Sequence, residues 1–507
     1  MTKIILKTIK ELNEWKFNNK RKINFVPTMG NLHKGHKELI QRAITSTEKI
    51  TLLSIFINPL QFDNQEDLKN YPRTINEDIE IGFSAGANVI FVPNTNEIFP
   101  KEKGGIAYQK ASENLSRTLC GRFREGHFDG VCTVVYRLLQ LIEPEAIFLG
   151  EKDWQQLLII KNMVKEKNLN VVIKSVATLR DTDGVPLSSR NNLLLESDRQ
   201  KLCLFSQELA IAKRIYSQTN SINLNKIMKK LEQIDIKIQY LENVDAFNLQ
   251  TPNRKTNIKM LAGAILCGNT RLIDHVFLMR RNPIIAIDGP AGSGKSTVTK
   301  LLAQKLNFIY LDTGAMYRAL SWYLINEKIN YEETNELIET LRNVTITFKS
   351  ISHSLQGVYI NNHDVTEEIR SQKITSIVSS IAAIKEVREF LVNEQRKIGD
   401  KGGIIAEGRD IGSKVFPDSE LKIFLTASIE ERAKRRKIEL ENNGNGEVNF
   451  SELKNQIKQR DFDDSNREIS PLIKAKDAIE IISDGYSINQ IVDKILSIYF
   501  ETIPKEI

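Results

Sequence analysis

Two of the six histidines of the chain, His33 and His36, lie three residues apart in the stretch HKGH, a spacing that could bind phosphate. The apolar run INFVP and a Thr-Met-Gly turn precede this stretch, and a helical pattern follows it. Side chains at i and i+3 face the same way in the first turn of a helix. Both imidazoles and the N–H groups of the helix start therefore point toward one anion, which Gly35 allows to approach closely. Helix capping is the structural alternative. Zinc binding would need further ligands, and no Cys or Glu cluster lies nearby.

A second phosphate motif begins at Gly289, where GPAGSGKS fits the pattern G-x-x-x-x-G-K-[ST]. It lies between the apolar run IIAIDG and the helical stretch STVTKLLAQKL, which is the context that a P-loop requires. Its backbone N–H groups would surround the phosphates of ATP, Lys295 would reach the β- and γ-phosphates, and Ser296 would hold Mg²⁺. The sequence thus predicts an ATP site formed by Gly289, Gly292, Ser293, Gly294, Lys295, Ser296 and Thr297.

Length and composition limit the kind of protein that carries these motifs. A chain of 507 residues predicts two to four domains, and 41% hydrophobic with 27% charged residues is typical of globular proteins. The four cysteines lie far apart and form no C-x-x-C pair, so we expect a reducing, cytoplasmic compartment. No signal peptide or apolar run near 18 residues is evident, so no membrane partner is expected. The net charge of +7 is a small excess of basic residues.

The elements that must position the motifs are predicted strands alternating with predicted helices, and this α/β pattern occurs twice along the chain. In the first third, β-rich runs such as TLLSIFINP and EAIFLG alternate with amphipathic stretches, which predicts a doubly wound parallel sheet. From about residue 190 the pattern changes to two helices and three strands of a smaller α+β unit. A new strand begins directly after MRRNP (279–283), which indicates a fusion. The stretch 441–450 is polar and glycine-containing and predicts a loop.

The second half resembles bacterial cytidylate kinase over residues 284–500. The similar stretches are LDTGAMYRAL (311–320), ITSIVSSIAAIKEVREFL, AEGRDIGSKVFP (406–417) and RDFDDSNREISPLIKAKDA (460–478). Glu407 stands where that family often has Asp. The resemblance implies a P-loop nucleoside monophosphate kinase fold and a CMP site formed by Thr313, Arg318, Ser379, Arg388, Arg409, Asp410, Asp464 and Arg467. Separate arginines suit this task because guanidinium groups bind phosphate bidentately.

The first half resembles the H-x-G-H nucleotidyltransferases and, among them, pantoate–β-alanine ligase over about residues 1–278. The motifs FINPLQF (56–62), YPRT (71–74), GRFREGHFDGVCTVVYRLL (121–139), FLGEKDWQQL (148–157) and LRDTDGVPLSSRN (179–191) occur in that family's order. Small departures occur at Glu125, where the family usually has Pro, and at Trp154. The resemblance implies a Rossmann-like part over about 1–185 and a C-terminal lid over about 186–278. The linker is then 279–283, and the kinase is 284–507.

The resemblance also implies roles for individual residues of the first half. His33 and His36 would bind phosphate, with His36 the proton donor, while Lys152 would neutralise the α-phosphate and Asp153 would hold the ribose. Gln61 and Gln156 would bind pantoate. The implied ATP-binding set is Met29, Gly30, His33, Gly35, His36, Gly150, Lys152, Asp153, Leu179, Leu187, Ser188, Ser189 and Arg190.

The predicted protein is therefore a bifunctional enzyme that uses ATP and Mg²⁺ at both sites. One site would join pantoate to β-alanine through a pantoyl adenylate, and the other would phosphorylate CMP or dCMP. The resemblance also implies a possible homodimer through the ligase half. One alternative is another H-x-G-H adenylyltransferase fused to another monophosphate kinase, which the R-D-x-D-G…SSR and LDTGAMYR stretches disfavour. A nucleic-acid-binding protein would need an aromatic-interleaved basic stripe, and none is evident, so no nucleic-acid partner is expected.

Overall fold

The computed structural model describes residues 3–100, 107–254, 256–268, 270–350, 356–442, 449–467 and 469–507. These residues form two compact units. Unit 1 comprises Met1–Arg280 together with Ile503–Ile507, and unit 2 comprises Arg281–Thr502. The kinase range expected from the sequence ran to residue 507, whereas Ile503–Ile507 pack with unit 1.

The larger part of unit 1 is a six-stranded parallel sheet in the order β1-β4-β3-β2-β5-β6. The chain order reverses beside β2, so the loops that follow β2 and β5 meet at the carboxyl edge, where such sheets bind ligands. Nearly all residues of β2, β3 and β5 are buried, so both faces of the sheet are covered at its centre. The strands are β1 (Ile4–Leu6), β2 (Ile23–Thr28), β3 (Ile50–Ile55), β4 (Val89–Phe91), β5 (Ala146–Gly150) and β6 (Val172–Val176).

Helices cover this sheet and carry much of its core. They are α1 (Ile9–Asn18), α2 (Lys34–Ala43), α3 (Gln65–Asn70), α4 (Ile75–Ser84), α5 (Thr95–Ile98), α6 (Glu113–Ser116), α7 (His127–Ile142) and α8 (Trp154–Glu166). Short 3₁₀ turns at Pro59–Gln61 and Glu151–Asp153 interrupt the connections.

The smaller part of unit 1 is the α+β unit that the sequence predicted. Helices α9 (Glu196–Thr219) and α10 (Leu224–Gln233) cover an antiparallel sheet of β7 (Lys237–Asp245), β8 (Lys259–Cys267) and β9 (Thr270–Leu278). Its own core surrounds Phe205, Leu261 and Ile265, which are fully buried. The expected lid over about 186–278 is thus a separate layer with its own hydrophobic centre.

Unit 2 contains a five-stranded parallel sheet in the order β11-β15-β10-β16-β17. The strands are β10 (Ile284–Asp288), β11 (Ile309–Asp312), β15 (Ile404–Gly408), β16 (Leu421–Thr426) and β17 (Ile479–Ile482). A small antiparallel sheet joins β12 (Ile346–Ser350), β13 (Gln356–Ile360) and β14 (His363–Asp364). The predicted α/β fold class, with a parallel sheet in each half, is confirmed.

The helices of unit 2 include those expected to carry the acceptor site. They are α11 (Lys295–Leu306), α12 (Thr313–Asn326), α13 (Thr334–Arg342), α14 (Gln372–Ala383), α15 (Lys385–Ile398), α16 (Ile429–Asn442), α17 (Phe450–Asn466) and α18 (Ile488–Thr502). The predicted loop over 441–450 is shorter at both ends, because Glu441 and Asn442 continue α16 and Phe450 begins α17. Residues 443–448 lie outside the described residues.

The expected linker 279–283 is partly fixed to unit 2. Arg281 pairs with Glu420 at 3.0 Å, and the Gly403 N–H donates to the Pro283 carbonyl at 3.0 Å. Within the described residues no helix is long and apolar enough to span a membrane. The four cysteines are all free.

Candidate active sites

The first candidate site lies where β2 and β5 end side by side in unit 1. The chain leaves β2 at Thr28, turns through Met29 and Gly30, and enters α2 with His33 as the N-cap. Strand β5 ends at Gly150 and leads directly to Lys152 and Asp153. Neighbouring parallel strands thus bring the H-x-G-H stretch and the lysine motif to one edge of the sheet.

Both histidines cap their own helix through one ring nitrogen. The Gly35 N–H donates to His33 Nδ1 at 3.1 Å, and the His33 N–H donates to His36 Nδ1 at 3.2 Å. Desolvation by burial, followed by the charge of Lys152, lowers the pKa of His33 to about 4. Burial, followed by His33, lowers the pKa of His36 to about 3. Both rings are therefore neutral at pH 7, and because Nδ1 accepts, each proton resides on Nε2.

Capping and phosphate binding are consequently compatible rather than alternatives. The ring centroids lie 4.1 Å apart, so two Nε2–H donors stand together at the start of α2. Gly35 makes this arrangement possible, since a Cβ at that position would meet His33 Cε1 at 2.9 Å. The N-terminus of α2 adds partial positive charge at the same place.

One cavity brings the predicted residues of this half together. It is lined by Met29, His33, Gly35, His36, Gln61, Gly150, Lys152, Asp153, Gln156, Leu179, Leu187, Ser188, Ser189 and Arg190. Gly30 is the exception among the predicted residues: it does not line the cavity, and it is buried in the turn after β2 with φ +84°. Lys152 Nζ lies 3.4 Å from Asp153 Oδ1.

The 188–190 stretch is held against the turn that precedes His33. Ser189 Oγ donates to the Asn31 carbonyl at 3.3 Å, and Asn31 Nδ2 donates to the Ser189 carbonyl at 3.2 Å. Arg190 Nη2 pairs with Asp67 Oδ2 at 3.2 Å. This cation lies on the cavity wall and pairs with a half-exposed carboxylate, so an anionic ligand could compete for it.

Two side chains of the GRFREGHFDG stretch, for which the sequence predicted no role, contact the backbone of Gln61. His127 Nδ1 lies 2.6 Å from the Gln61 carbonyl oxygen, and Arg124 Nη2 donates to the same oxygen at 3.3 Å. Burial, followed by Arg124, lowers the pKa of His127 to about 4. The neutral ring therefore donates through Nδ1 and accepts from Arg124 through Nε2 at 3.1 Å. The sequence feature that could have identified this contact is the presence of Arg124 and His127 within one motif.

The second candidate site lies at the carboxyl ends of β10 and β15 in unit 2. Gly289 follows β10 with φ +151°, and a Cβ there would meet the Leu425 carbonyl oxygen at 2.0 Å, so only glycine fits. Lys295 begins α11 and is buried, with its Nζ donating to the Pro290 carbonyl at 2.7 Å. Burial, followed by the charge of Arg409, lowers the pKa of Lys295. The lysine is held inside its own loop and close to another cation, which favours an anionic ligand.

The cavity above this loop brings together all eight residues predicted for CMP. It is lined by Lys295, Ser296, Thr313, Arg318, Ser379, Arg388, Arg409, Asp410, Asp464 and Arg467, together with Gly292. Four other predicted P-loop residues lie outside this wall. Gly289 and Ser293 are buried behind it, Gly294 is the N-cap of α11, and Thr297 is exposed on the first turn of α11.

Two of the arginines predicted to bind CMP are paired with carboxylates. Arg388, which is 4% exposed, donates to Asp410 Oδ2 at 2.6 Å, and Arg409 Nε donates to Asp464 Oδ2 at 2.9 Å. Two guanidinium nitrogens, Arg388 Nε and Arg467 Nη2, are buried with no hydrogen-bond partner among the described residues. The wall of this cavity is rich in arginines, and cations concentrated in this way favour an anionic ligand.

Glu407 was noted from the sequence only as a departure from the family pattern, and it occupies a central position. It lies near the end of β15 beside the P-loop and is 4% exposed. Its carboxylate accepts from Ser296 Oγ at 3.0 Å and from the Tyr310 hydroxyl. Burial, followed by the charge of Asp312, raises the pKa of Glu407. Its place before the G-R-D segment was the signal for this residue.

Comparisons with known proteins identify a family for each half of the chain. The pantoate-beta-alanine ligase family model matches residues 4–277, and the cytidylate kinase family model matches residues 285–501. A curated relative from Prochlorococcus marinus subsp. pastoris, named a bifunctional pantoate ligase/cytidylate kinase, is 61% identical over 507 residues. The alignment covers 100% of this chain and 99% of the relative. The chain belongs to this bifunctional family.

Further relatives carry similar descriptions. A protein of Prochlorococcus marinus strain MIT 9312 with the same name is 60% identical over 506 residues, with coverage of 100% of this chain and 99% of the relative. A solved pantothenate synthetase from Thermus thermophilus is 32% identical, with a TM-score of 0.49 over 54% of this chain and 98% of that chain. By the residues that the two family models match, unit 1 carries the pantoate–β-alanine ligase and unit 2 the cytidylate kinase. We call them the ligase unit and the kinase unit.

Proposed function

We propose that the ligase unit joins pantoate to β-alanine in two steps. The pantoate carboxylate attacks the α-phosphorus of ATP, and the bond to the bridging oxygen breaks, so that pyrophosphate leaves. The β-alanine amine then attacks the acyl carbon of pantoyl adenylate, loses a proton and displaces AMP, giving pantothenate. The observation that carries this proposal is the pair of neutral Nε2–H donors beside Lys152 at the start of α2.

The residues of the cavity divide this work according to their chemistry. His33 and His36 would donate hydrogen bonds to phosphate oxygens through Nε2–H, and Lys152 would neutralise the charge that develops on the α-phosphate. The low pKa of His36 makes it a hydrogen-bond donor at pH 7 and not the proton donor that the resemblance implied. Ser188, Ser189 and Arg190 would surround the triphosphate, and Asp153 would bind the ribose hydroxyls. Gln61 and Gln156 offer neutral directional partners to pantoate, a small acid with hydroxyl groups.

We further propose that the kinase unit transfers the γ-phosphoryl group of ATP to CMP or dCMP. The P-loop and Lys295 would hold the ATP phosphates, and the arginine cluster would hold the phosphate of the acceptor in line with them. The support is the cluster of arginines that lines the cavity beside Lys295, because guanidinium groups bind phosphate bidentately.

Mg²⁺ fits the donors that are present at the kinase site. Ser296 Oγ and the Glu407 carboxylate lie together at 3.0 Å, and such hard oxygen ligands suit Mg²⁺. When bound, the ion neutralises phosphate charge. We propose that Ser296 holds it directly and that Glu407 orients Ser296. At the ligase site we propose Mg²⁺ with the triphosphate, as the nucleotide chemistry implies.

Exchange of labelled pyrophosphate into ATP tests the ligase mechanism. We expect exchange that depends on pantoate and not on β-alanine, since the adenylate forms first. His36→Ala should reduce this exchange by about two to four decades, the range for a positioned acid–base or phosphate-binding group. CMP phosphorylation by the same variant should be unchanged. Exchange that requires β-alanine would contradict the two-step order, and near-normal exchange in His36→Ala would leave the histidines as helix caps only.

Nucleoside diphosphate formation tests the kinase proposal. We expect CMP and dCMP to be phosphorylated, with UMP as the pyrimidine comparison and AMP as the purine comparison. A preference for AMP over CMP would contradict the proposed acceptor.

A further inference from the structure

The last residues in the sequence, Ile503–Ile507, pack on the ligase unit although they follow the final helix of the kinase unit. Ile503 is 2% exposed and Pro504 is also buried. The two family matches end at residues 277 and 501, so this 503–507 segment lies outside both.

One contact of the segment is with Glu151, which lies between Gly150 and Lys152 of the lysine motif. The Lys505 backbone N–H donates to both carboxylate oxygens of Glu151, each at 3.0 Å. Glu151 is fully buried, and Ser175 Oγ donates to it at 2.8 Å. Without the segment this buried carboxylate would lose its backbone donor, which is costly for a charged group. The residues on either side of Glu151 line the cavity.

The second contact is made by Glu506 with the stretch that follows β6. The Thr178 N–H donates to Glu506 Oε1 at 3.0 Å, and the Thr178 hydroxyl donates to the same oxygen. Lys213 Nζ on α9 donates to the Glu506 backbone carbonyl at 3.1 Å. Thr178 and its neighbour Leu179 both line the cavity.

Glu506 also lies beside an ion pair that connects this stretch to the smaller layer of the ligase unit. Arg180 donates bidentately to Asp274 at 2.8 and 2.9 Å, and its Nη2 lies 3.9 Å from Glu506 Oε2. The carboxylate thus fixes Thr178 through hydrogen bonds and faces the cation two residues further along. One short segment therefore holds both the 150–153 and the 176–180 stretches.

We propose that the 503–507 segment is a positioning element of the ligase site. It sets the two stretches that form one side of the cavity, and Glu506 acts through Thr178 rather than by touching substrate. The inference rests on the proposed assignment of this cavity to ATP. It makes ATP use by the ligase depend on residues that follow the kinase in the sequence.

Steady-state kinetics of the full chain test the proposal through two matched pairs of variants. Glu506→Ala removes the acceptor and the charge, whereas Glu506→Gln keeps an oxygen for the Thr178 N–H. Lys505→Pro removes the backbone N–H that Glu151 accepts, and Lys505→Ala keeps that N–H while controlling for the lost side chain. We expect Glu506→Ala to raise the ligase KM for ATP by about 2- to 30-fold, the range for residues that act through a neighbour. Glu506→Gln should recover part of this loss, and Lys505→Pro should exceed Lys505→Ala.

The ligase kcat and the ligase KM for ATP together distinguish a positioning role from a general loss of folded enzyme. A purely structural role would lower the fraction of active enzyme, and hence kcat, without changing the KM for ATP. The kcat and KM of CMP phosphorylation should be unchanged in all four variants. An unaltered ligase KM for ATP in both Glu506→Ala and Lys505→Pro would overturn the proposal. If His36→Ala also left the ligase unaffected, the assignment of the cavity to ATP would itself have failed, which is a distinguishable result.

Discussion

The two histidines of the ligase unit cap their helix and, in the proposed function, also bind phosphate. Each Nδ1 accepts a backbone N–H at the start of α2, which fixes the ring and its tautomer, and each Nε2 keeps a proton for a ligand. A lysine or arginine could also attract phosphate, but neither side chain accepts hydrogen bonds, so neither could cap the helix.

The depressed pKa values give a prediction for histidine titration. Because the folded pKa values are about 4 for His33 and about 3 for His36, both rings should stay neutral from pH 8 to below pH 6. In the unfolded chain they should titrate near 6.5. The unfolded state then binds more protons in acid, so the ligase unit should lose stability as the pH falls from about 6.5 toward 4. NMR titration of the Cε1–H signals, assigned with His→Gln variants, measures the pKa values of the two rings in the folded protein. A midpoint near 6.5 for either folded ring would contradict the desolvated, neutral pair.

At the kinase site we propose that some residues bind ATP and others bind the acceptor. Lys295→Ala should reduce turnover with every acceptor, because it removes charge next to the transferred group. Arg409→Ala should chiefly weaken CMP, by roughly 1.5–3 kcal/mol for a lost charged hydrogen-bond partner. Affinity for a non-hydrolysable ATP analogue, measured by calorimetry, should stay close to that of the unchanged protein. Arg370→Ala, which removes a half-exposed surface cation, is the matched control. Impaired ATP binding with normal CMP binding in Arg409→Ala would contradict the assignment.

At the scale of elements, short-range patterns predicted the α/β organisation of both units, and each stretch predicted to bind phosphate follows a parallel strand. Strand β10 is fully buried, and the glycine and lysine positions of the P-loop follow from local rules that the sequence displays. The sequence could not show that Glu407 reaches Ser296, because the two residues are brought together only by the pairing of β10 with β15. The same reason hides the contact of Glu506 with Thr178, which are 328 residues apart.

Helix α4 supplies a buried carboxylate that shapes the turn before His33. Asp78 is 1% exposed and accepts the N–H groups of Asn31 at 3.0 Å and Leu32 at 2.7 Å. We predict that Asp78→Ala destabilises the ligase unit by about 1–3 kcal/mol, because two N–H groups lose their acceptor. Displacement of His33 should also lower pantoate-dependent pyrophosphate exchange, by up to about 100-fold for a shift near 1 Å.

Glu77→Ala is the control for this prediction, since Glu77 is the exposed neighbour on the same helix. Thermal unfolding and the exchange assay should both distinguish the two variants. Normal exchange in Asp78→Ala, with an unchanged unfolding temperature, would show that the turn does not need this carboxylate.

At the scale of the whole molecule, the sequence predicted two modules, and the structure shows that the ligase unit also includes five residues that follow the kinase unit in the sequence. The ligase unit takes Met1–Arg280 and also Ile503–Ile507, so a cut after residue 280 separates it from five of its own residues. The kinase unit, Arg281–Thr502, is continuous and keeps its P-loop, its arginine cluster and the helices that carry them. The two fragments of such a cut should therefore behave differently.

We predict that the 281–502 fragment folds and phosphorylates CMP with kcat/KM within about threefold of the full chain, since distant sites act independently. The 1–280 fragment should fold around its own sheet and core and should synthesise pantothenate, but with the raised KM for ATP expected of Glu506→Ala. A full chain that lacks only 503–507 should share that raised KM, which isolates the segment from the cut itself. The measurements are the ligase KM for ATP of the two proteins that contain the ligase unit and the CMP kinase kcat/KM of the 281–502 fragment. A ligase KM for ATP in 1–280 equal to that of the full chain would remove the need for the segment, and an unfolded 281–502 fragment would contradict the independence of the kinase unit.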